Sequence, residues 1–338
     1  MFVDLGYDAK ACSKLKDDDR DYEFLVSRML FLTTYGTNAK LDELIDKHGL
    51  AEAVVESLGR HASRKATSKP PSDPMEQMAL VETLKLLFNI THHCKDRTSS
   101  FTRAVPHIVA LLRDSTPQAT KPLDPPIGTL VNALLNLDLD SDEVRSWFYP
   151  EAEPKPFSNQ LLDLLSRSIK VYKDDELETA VTPLVGVIRA VHEYAPEQVK
   201  ASIRERLLPT EADRDEVLGK GTSVPSWLLK NSTNVMTPHL RETISDLLFD
   251  MSDKDATKFI DNVGYGYASG YLFSRNIPVP QTTGDEISGE SVATGSTSRP
   301  INPVTGQFLD RERQPNVPEM TDEEKEREAE RLFVLFER

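Results

Sequence analysis

The chain has 338 residues, 38% of them hydrophobic, which is enough to bury a substantial core in one long solenoid or two compact domains. Against 40 Lys plus Arg stand 55 Asp plus Glu, a formal charge of -15, so a phosphate backbone is repelled and no nucleic-acid partner is expected. No apolar run reaches the ~18 residues of a membrane span, and residues 1–10 hold no basic region followed by an apolar stretch, so the expectation is a cytoplasmic protein with no direct membrane insertion.

Apolar residues recur at helical spacing along the chain. Between Asp21 and Thr34, Phe24, Leu25, Arg28, Met29 and Leu32 fall on one stripe, which predicts a helix burying that stripe with the Arg28 stem lying along it. Leu80, Leu84, Leu87 and Thr91 predict a second helix. Leu177, Val181, Leu184, Val185, Ile188 and Val191 predict a third, and Leu240, Ile244, Leu247, Leu248 and Met251 a fourth. Proline-rich breaks separate these segments at residues 69–74, 116–117, 122–126 and 150–156. No segment alternates β-branched residues with period two between turns, so the fold class is all-α. Cys12 and Cys94 stand far apart with no CxxC partner, as two free thiols in a reducing compartment.

Four helices look alike: residues 82–90 (ETLKLLFNI), 128–137 (GTLVNALLNL), 183–192 (PLVGVIRAVH) and 242–250 (ETISDLLFD). Each is apolar with a polar residue near its end. Between Asn89, Asn136, His192 and Asp250 the spacings are 47, 56 and 58 residues. Armadillo and HEAT units run about 40 to 47 residues, and proline-rich insertions absorb the excess. In such a solenoid these helices line one concave face, where Asn side chains can clamp a segment of a partner.

Residues 1–275 therefore form the repeats. Residues 276–320 are rich in Pro, Gly, Ser and Thr, with few large apolar side chains, and read as a largely disordered linker or tail. Within it Thr282 and Thr283 each precede an acidic residue by three positions, which suits either an acidophilic kinase or a solvated linker. Residues 321–338 open with a capping box, Thr321 with Glu324, and end in Leu332, Phe333, Leu335 and Phe336, a short docking helix.

Several motif-like strings take simpler readings. Residues 264–270 (GYGYASG) lack the spacing and the preceding strand of a dinucleotide fingerprint, and read as a helix C-cap and turn. Residues 138–143 alternate carboxylates but miss the central Gly and closing Glu of a calcium loop, so Asp140 with Glu143 reads as a capping box. Of His92, His93 and Cys94, adjacent positions on a helix point about 100° apart, so metal binding is rejected, with one His lining the groove and the other exposed. No GxSxG, HExxH or P-loop occurs, so no catalytic residue and no cofactor is assigned.

Residues 82–91, 130–137, 263–272 (VGYGYASGYL), 301–306 (INPVTG) and 320–329 (MTDEEKEREA), in that order and spacing, together resemble the synembryn (Ric-8) family. The resemblance implies an armadillo/HEAT-like right-handed superhelical solenoid that binds G-protein α subunits as a chaperone and guanine-nucleotide exchange factor. It implies a concave groove for the α subunit's C-terminal helix, a tail that embraces the GTPase domain, and recruitment to the cell cortex through that partner. Carried over by position, the partner-binding residues are Lys85, Asn89, His92, Asn132, Asn136, Arg189 and His192. The family has further repeats before the part resembling this chain, which looks like its C-terminal two-thirds. Its animal members also carry a dense acidic phosphorylated stretch after the Gly-Tyr-Gly turn that is sparse here. The protein is expected to be a monomer, with a generic armadillo adaptor as the alternative.

Overall fold

Helix starts are written by local chemistry. The Asp19 side chain accepts from the amides of Asp21 and Tyr22 and so opens α2 (Arg20–Thr33), after α1 (Tyr7–Lys14). Following α3 (Leu41–His48) and α4 (Leu50–Thr67), Asp73 caps α5 (Pro74–His93), whose first residue is a proline that needs no amide partner. The chain continues through a 3-10 segment (Lys95–Ala104), α6 (Val105–Arg113), α7 (Ile127–Leu135), α8 (Asp142–Phe148), α9 (Pro156–Val171), α10 (Asp174–Tyr194) and α11 (Glu197–Leu207). It ends in α12 (Val224–Asn231), α13 (Pro238–Met251), α14 (Ala256–Val263) and α15 (Tyr265–Ser274). The structure, a computed structural model, describes residues 6–35, 40–67, 73–279, 299–312, 325–327 and 331.

These helices stack in two rows. In the first, α2 packs on α5, α5 on α7, α7 on α10, and α10 on α13, which continues through α14 to α15. In the second, α4 packs on α6, α6 on α9, and α9 on α12. Contacts of α4 with α5, α6 with α7, α9 with α10, and α12 with α13 join the rows, so one apolar core runs through the stack. Each unit buries its face on its neighbours, as expected of an all-α repeat solenoid. Among the described residues the only β pairing is an isolated antiparallel bridge between Ile301 and Phe308.

Three of the four stripes are core: every apolar residue assigned to α5, α10 and α13 is buried. The stripe on α2 is not. Leu25 is 52%, Met29 43% and Leu32 56% exposed, while the opposite face, Glu23, Val26, Ser27 and Leu30, is buried. Polar residues win the interior because a complete set of partners waits there, as the next subsection describes. The cap of α8 also differs: Ser141, not Asp140, accepts from the Val144 amide, while Asp138 accepts from the Asp140 amide.

The largest departure lies in residues 276–320. Residues 299–312, which composition assigns to the linker, form a strap folded onto the helices, with Phe308 fully buried. One ring and a set of backbone bonds seat a segment too polar to fold alone. Thr282, Thr283 and residues 321–324 lie outside the described residues, and of the expected terminal helix only 325–327 and 331 are described, as helix.

Candidate partner face and the ties behind it

The exposed and half-buried positions of the first row form a ladder of residues: Met78, Val81, Lys85, Phe88 and His92 on α5, Asn132 and Leu135 on α7, Thr182 and Arg189 on α10, and Glu242 and Asp246 on α13. Its α5 end is apolar and basic, and its α13 end acidic. This face can bind a partner through apolar burial and charge.

Lys85 is half-buried and donates to Glu82, 2.8 Å away, which Arg28 also approaches at 3.5 Å. His92 is exposed and stacks on Phe88, with ring centroids 6.1 Å apart, and its edge meets His93, which is exposed as well. Of the two histidines His92 stands on the ladder and His93 off it, and both are exposed. Asn132 is half-buried on α7.

Of the other four expected contact residues, Arg189 shares the ladder but is paired with acidic residues, and Asn89, Asn136 and His192 turn inward. Asn89 is buried and its amide donates to Thr34 Oγ1 at 2.8 Å, tying α5 to the end of α2. Asn136, the C-cap of α7, donates to the Phe88 carbonyl at 3.2 Å and ties α7 to α5. Arg189 forks across to α13, with Nε 2.5 Å from Asp250 and Nη1 2.7 Å from Asp246. Tyr271 then donates to the second Asp246 oxygen from α15, at 2.8 Å. His192 is 2% exposed and neither ring nitrogen has a hydrogen-bond partner. Burial, aided by Arg204 and Lys200, pushes its pKa down to about 4, so it is neutral. The positions equated along the repeats thus all sit at the ends of first-row helices, and three of them carry polar ties between successive helices.

A second polar cluster escaped the sequence reading. Between α2, α4 and α5, the ring of His61 lies between two carboxylates, Nε2 at 2.7 Å from Glu23 and Nδ1 at 2.6 Å from Glu76. Nε2 hydrogen-bonds Glu23, and at Nδ1 the Glu76 carboxylate acts through its charge, so together they stabilise the ring as the imidazolium. Burial opposes that charge, but the bonds to Glu23 and Glu76 outweigh it and push His61 up to about 9. Burial likewise opposes ionisation of Glu76, yet His61 and Arg64 draw it down to about 2. Ser57 and Thr83 complete the shell by donating to Glu23, and Ser27 meets Thr83 at 2.9 Å. The partners lie 34 to 60 residues from Glu23 in sequence, so local patterning carries no sign of them.

The strap brings two sequence strings together. The carbonyls of Pro303 and Val304 accept from the amides of Tyr265 and Gly266, at 2.8 and 3.2 Å, and so cap the start of α15. Gly264 adopts φ 83, ψ 150, where an L side chain is strained, and an added Cβ would meet the strap at 3.4 Å. The expected turn between two helices is present, and its glycine also admits the strap. Beneath it Arg214, buried and unforeseen, donates to the carbonyls of Gly306, Asp261 and Asn262 at 2.9, 2.8 and 3.1 Å. Arg299 covers the Phe308 ring 4.0 Å from its centroid.

Both cysteines are free and buried; burial foremost raises Cys12 to about 12 and Cys94 to about 11, so neither is a ready thiolate. Among the described residues no group of His, Cys, Asp and Glu is placed to hold a metal ion, and no helix is long and apolar enough to cross a membrane.

A family profile described as guanine nucleotide exchange factor synembryn matches residues 1–338. The chaperone Ric-8A of Macaca fascicularis is 27% identical over 340 residues, covering 94% of this chain and 62% of the relative. A synembryn-like chaperone of Schizosaccharomyces pombe is 23% identical over 339 residues, covering 95% and 62%. Ric-8A of Gallus gallus is 28% identical over 291 residues, covering 80% and 52%. The chain thus spans less than two thirds of the length of these relatives. With a match running from the first residue to the last, the chain belongs to the synembryn family of guanine-nucleotide exchange factors.

Proposed function

We propose that this chain binds G-protein α subunits, assists their folding, and promotes GDP release by stabilising the nucleotide-free state. The observation that carries the reading is the end-to-end family match, which takes in both helical rows and the strap. Exchange of this kind is differential binding: a scaffold that prefers the nucleotide-free conformer lowers affinity for GDP by that preference, without a catalytic side chain.

The open face of the first row receives the α subunit's C-terminal helix. Lys85, His92 and Asn132 contact it, beside Phe88 and Leu135. Arg189 stands on the same face, paired with Asp246 and Asp250, while Asn89 and Asn136 act from behind as ties between helices and His192 packs beneath them. Residues 321–338 add a contact with the GTPase domain. The protein acts as a cytoplasmic monomer, brought to the cell cortex by its partner, and control at Thr282 and Thr283 is an additional proposal.

The test is GDP release from a purified α subunit with and without the chain, alongside size-exclusion of the nucleotide-free mixture. Faster release and a complex that falls apart on adding GTP support the reading. A stable complex without acceleration leaves the chaperone role and removes exchange. With neither effect the α subunit is not the partner, and a generic peptide adaptor takes its place.

A further inference from the structure

Residues 182–186 of α10 go against helix chemistry at three positions. Pro183 lies in the helix interior, where it has no amide for the carbonyl of Thr179, four residues back. Gly186 follows, and after proline no residue weakens a helix interior more. Thr182 Oγ1 is shielded from solvent and has no hydrogen-bond partner, although a helical threonine can reach the carbonyl one turn back. A buried hydroxyl left unpaired costs stability, and local rules broken together mark a place where function has set the sequence.

The helix alongside completes the picture. α7 and α10 run the same way: Lys121, ahead of α7, pairs at 2.7 Å with Glu176 in the first turn of α10, and further along Leu135 Cδ2 lies 2.8 Å from where a Cβ on Gly186 would stand. Asn132 and Thr182 each precede that contact by about one turn, so they share one level of the open face. Asn132 is half-buried, and its carboxamide is bonded to no described residue. Asn132, Leu135, Thr182 and Gly186 form an uncharged stretch between Lys85 on one side and Arg189 with Asp246 on the other.

We infer that Asn132 and Thr182 form a specificity site that takes one uncharged carboxamide, an Asn or Gln side chain, from the helix seated on the open face. This rests on the proposed function and names what that face selects. A helical threonine has two accessible rotamers, so the Thr182 hydroxyl can turn to the ligand. A carboxamide both accepts and donates; it takes the Thr182 hydrogen and exchanges bonds with Asn132, while Leu135, laid over Gly186, covers its stem. A carboxylate or an ammonium would enter a level with no opposite charge to replace its water. An apolar side chain would leave Thr182 and Asn132 unpaired. The free chain thus carries an unmade hydrogen bond that a matching ligand completes.

Thr182→Val keeps the shape of the side chain and removes the hydroxyl, whereas Thr182→Ser keeps the hydroxyl. Thermal unfolding is measured for both, with affinity for a whole nucleotide-free α subunit and for a peptide of its C-terminal helix. Thr182→Val should melt about 2 °C higher than wild type and bind subunit and peptide about tenfold more weakly. Thr182→Ser should bind within about twofold of wild type. Replacing each Asn and Gln of the peptide in turn by Leu should single out one position, costing about tenfold against wild type and nothing further against Thr182→Val. A lower melting temperature for Thr182→Val shows the hydroxyl bonded in the native chain and overturns the inference. Unchanged affinity overturns it by leaving the hydroxyl idle, and losses that add at every peptide position overturn it by placing the ligand's amide elsewhere. If the wild-type chain binds neither probe, the proposed function fails and this inference with it, a result read from the wild type and so distinct from the others.

Discussion

Raising the pH from about 7 to about 9 should remove about 2 kcal/mol of stability from the unit built by α2, α4 and α5. His61 is the source. Its pKa stands at about 9 in the folded chain against 6.5 for an ordinary histidine, a difference worth about 3 kcal/mol. A folded pKa above the unfolded one stabilises fully below the unfolded value and is lost as pH climbs through the folded value. Most of the contribution is therefore present at pH 7 and little remains at pH 9. Glu76, drawn down to about 2, stays ionised throughout this window and adds no slope. The assay is urea unfolding at several pH values for wild type and His61→Gln, followed by circular dichroism and by hydrogen exchange in α4. Wild type should lose stability with rising pH relative to the variant. Parallel loss in the two proteins, or an NMR titration placing the His61 midpoint near 6.5, would refute the buried imidazolium.

His192 should give the opposite slope. Its folded pKa of about 4 lies below the ordinary value, so the unfolded chain binds the proton more readily, and stability falls by about 3 kcal/mol between pH 6.5 and 4; His192→Leu should lack that component of the acid unfolding curve. Arg189→Ala should cost about 2 kcal/mol, because it leaves the buried Asp250 with only Lys254 at 3.8 Å and takes one of two guanidiniums from Asp246, which keeps Arg275 at 3.0 Å, and a thermal midpoint within a degree of wild type would show the fork to be idle. Asn89→Asp should destabilise more than Asn89→Ala in urea, since the carboxylate has no hydrogen to give Thr34 and is charged in a buried place. An Asp variant as stable as wild type that nonetheless loses the α subunit would move Asn89 from helix tie to direct contact.

Periodicity proved informative where apolar residues carry the packing. The stripes of α5, α10 and α13 are buried as their spacing implies, and Asn89, Asn136, His192 and Asp250 mark corresponding helix ends, so the repeat is readable from residue types alone. On α2 the same rule selects the exposed side. Glu23 and Ser27 look like solvent residues until Ser57, His61 and Thr83 arrive from other helices, and a local window contains none of these. The strap is hidden for a related reason. Its contacts run largely through backbone groups, which every residue has, with Phe308, Gln307, Arg299 and Arg311 the few side chains that seat it. Side-chain identity alone also leaves open which way a polar residue points, so Asn89 and Asn136 read equally as groove contacts and as ties between helices.

The ridge of Tyr22, Leu25, Met29 and Leu32 on α2 has a consequence for how the stack comes apart. In a one-dimensional array each unit is steadied by the neighbours on both of its sides. The helices α5, α7, α10 and α13 each have such neighbours, whereas α2 packs on α5 and the short α1 and keeps an apolar surface about half exposed. Fraying should begin there, and the charged trio at His61 is what resists it. Slow amides are expected in α10 and α13, intermediate ones in α5 and the fastest in α2, a graded pattern in place of a single all-or-none transition.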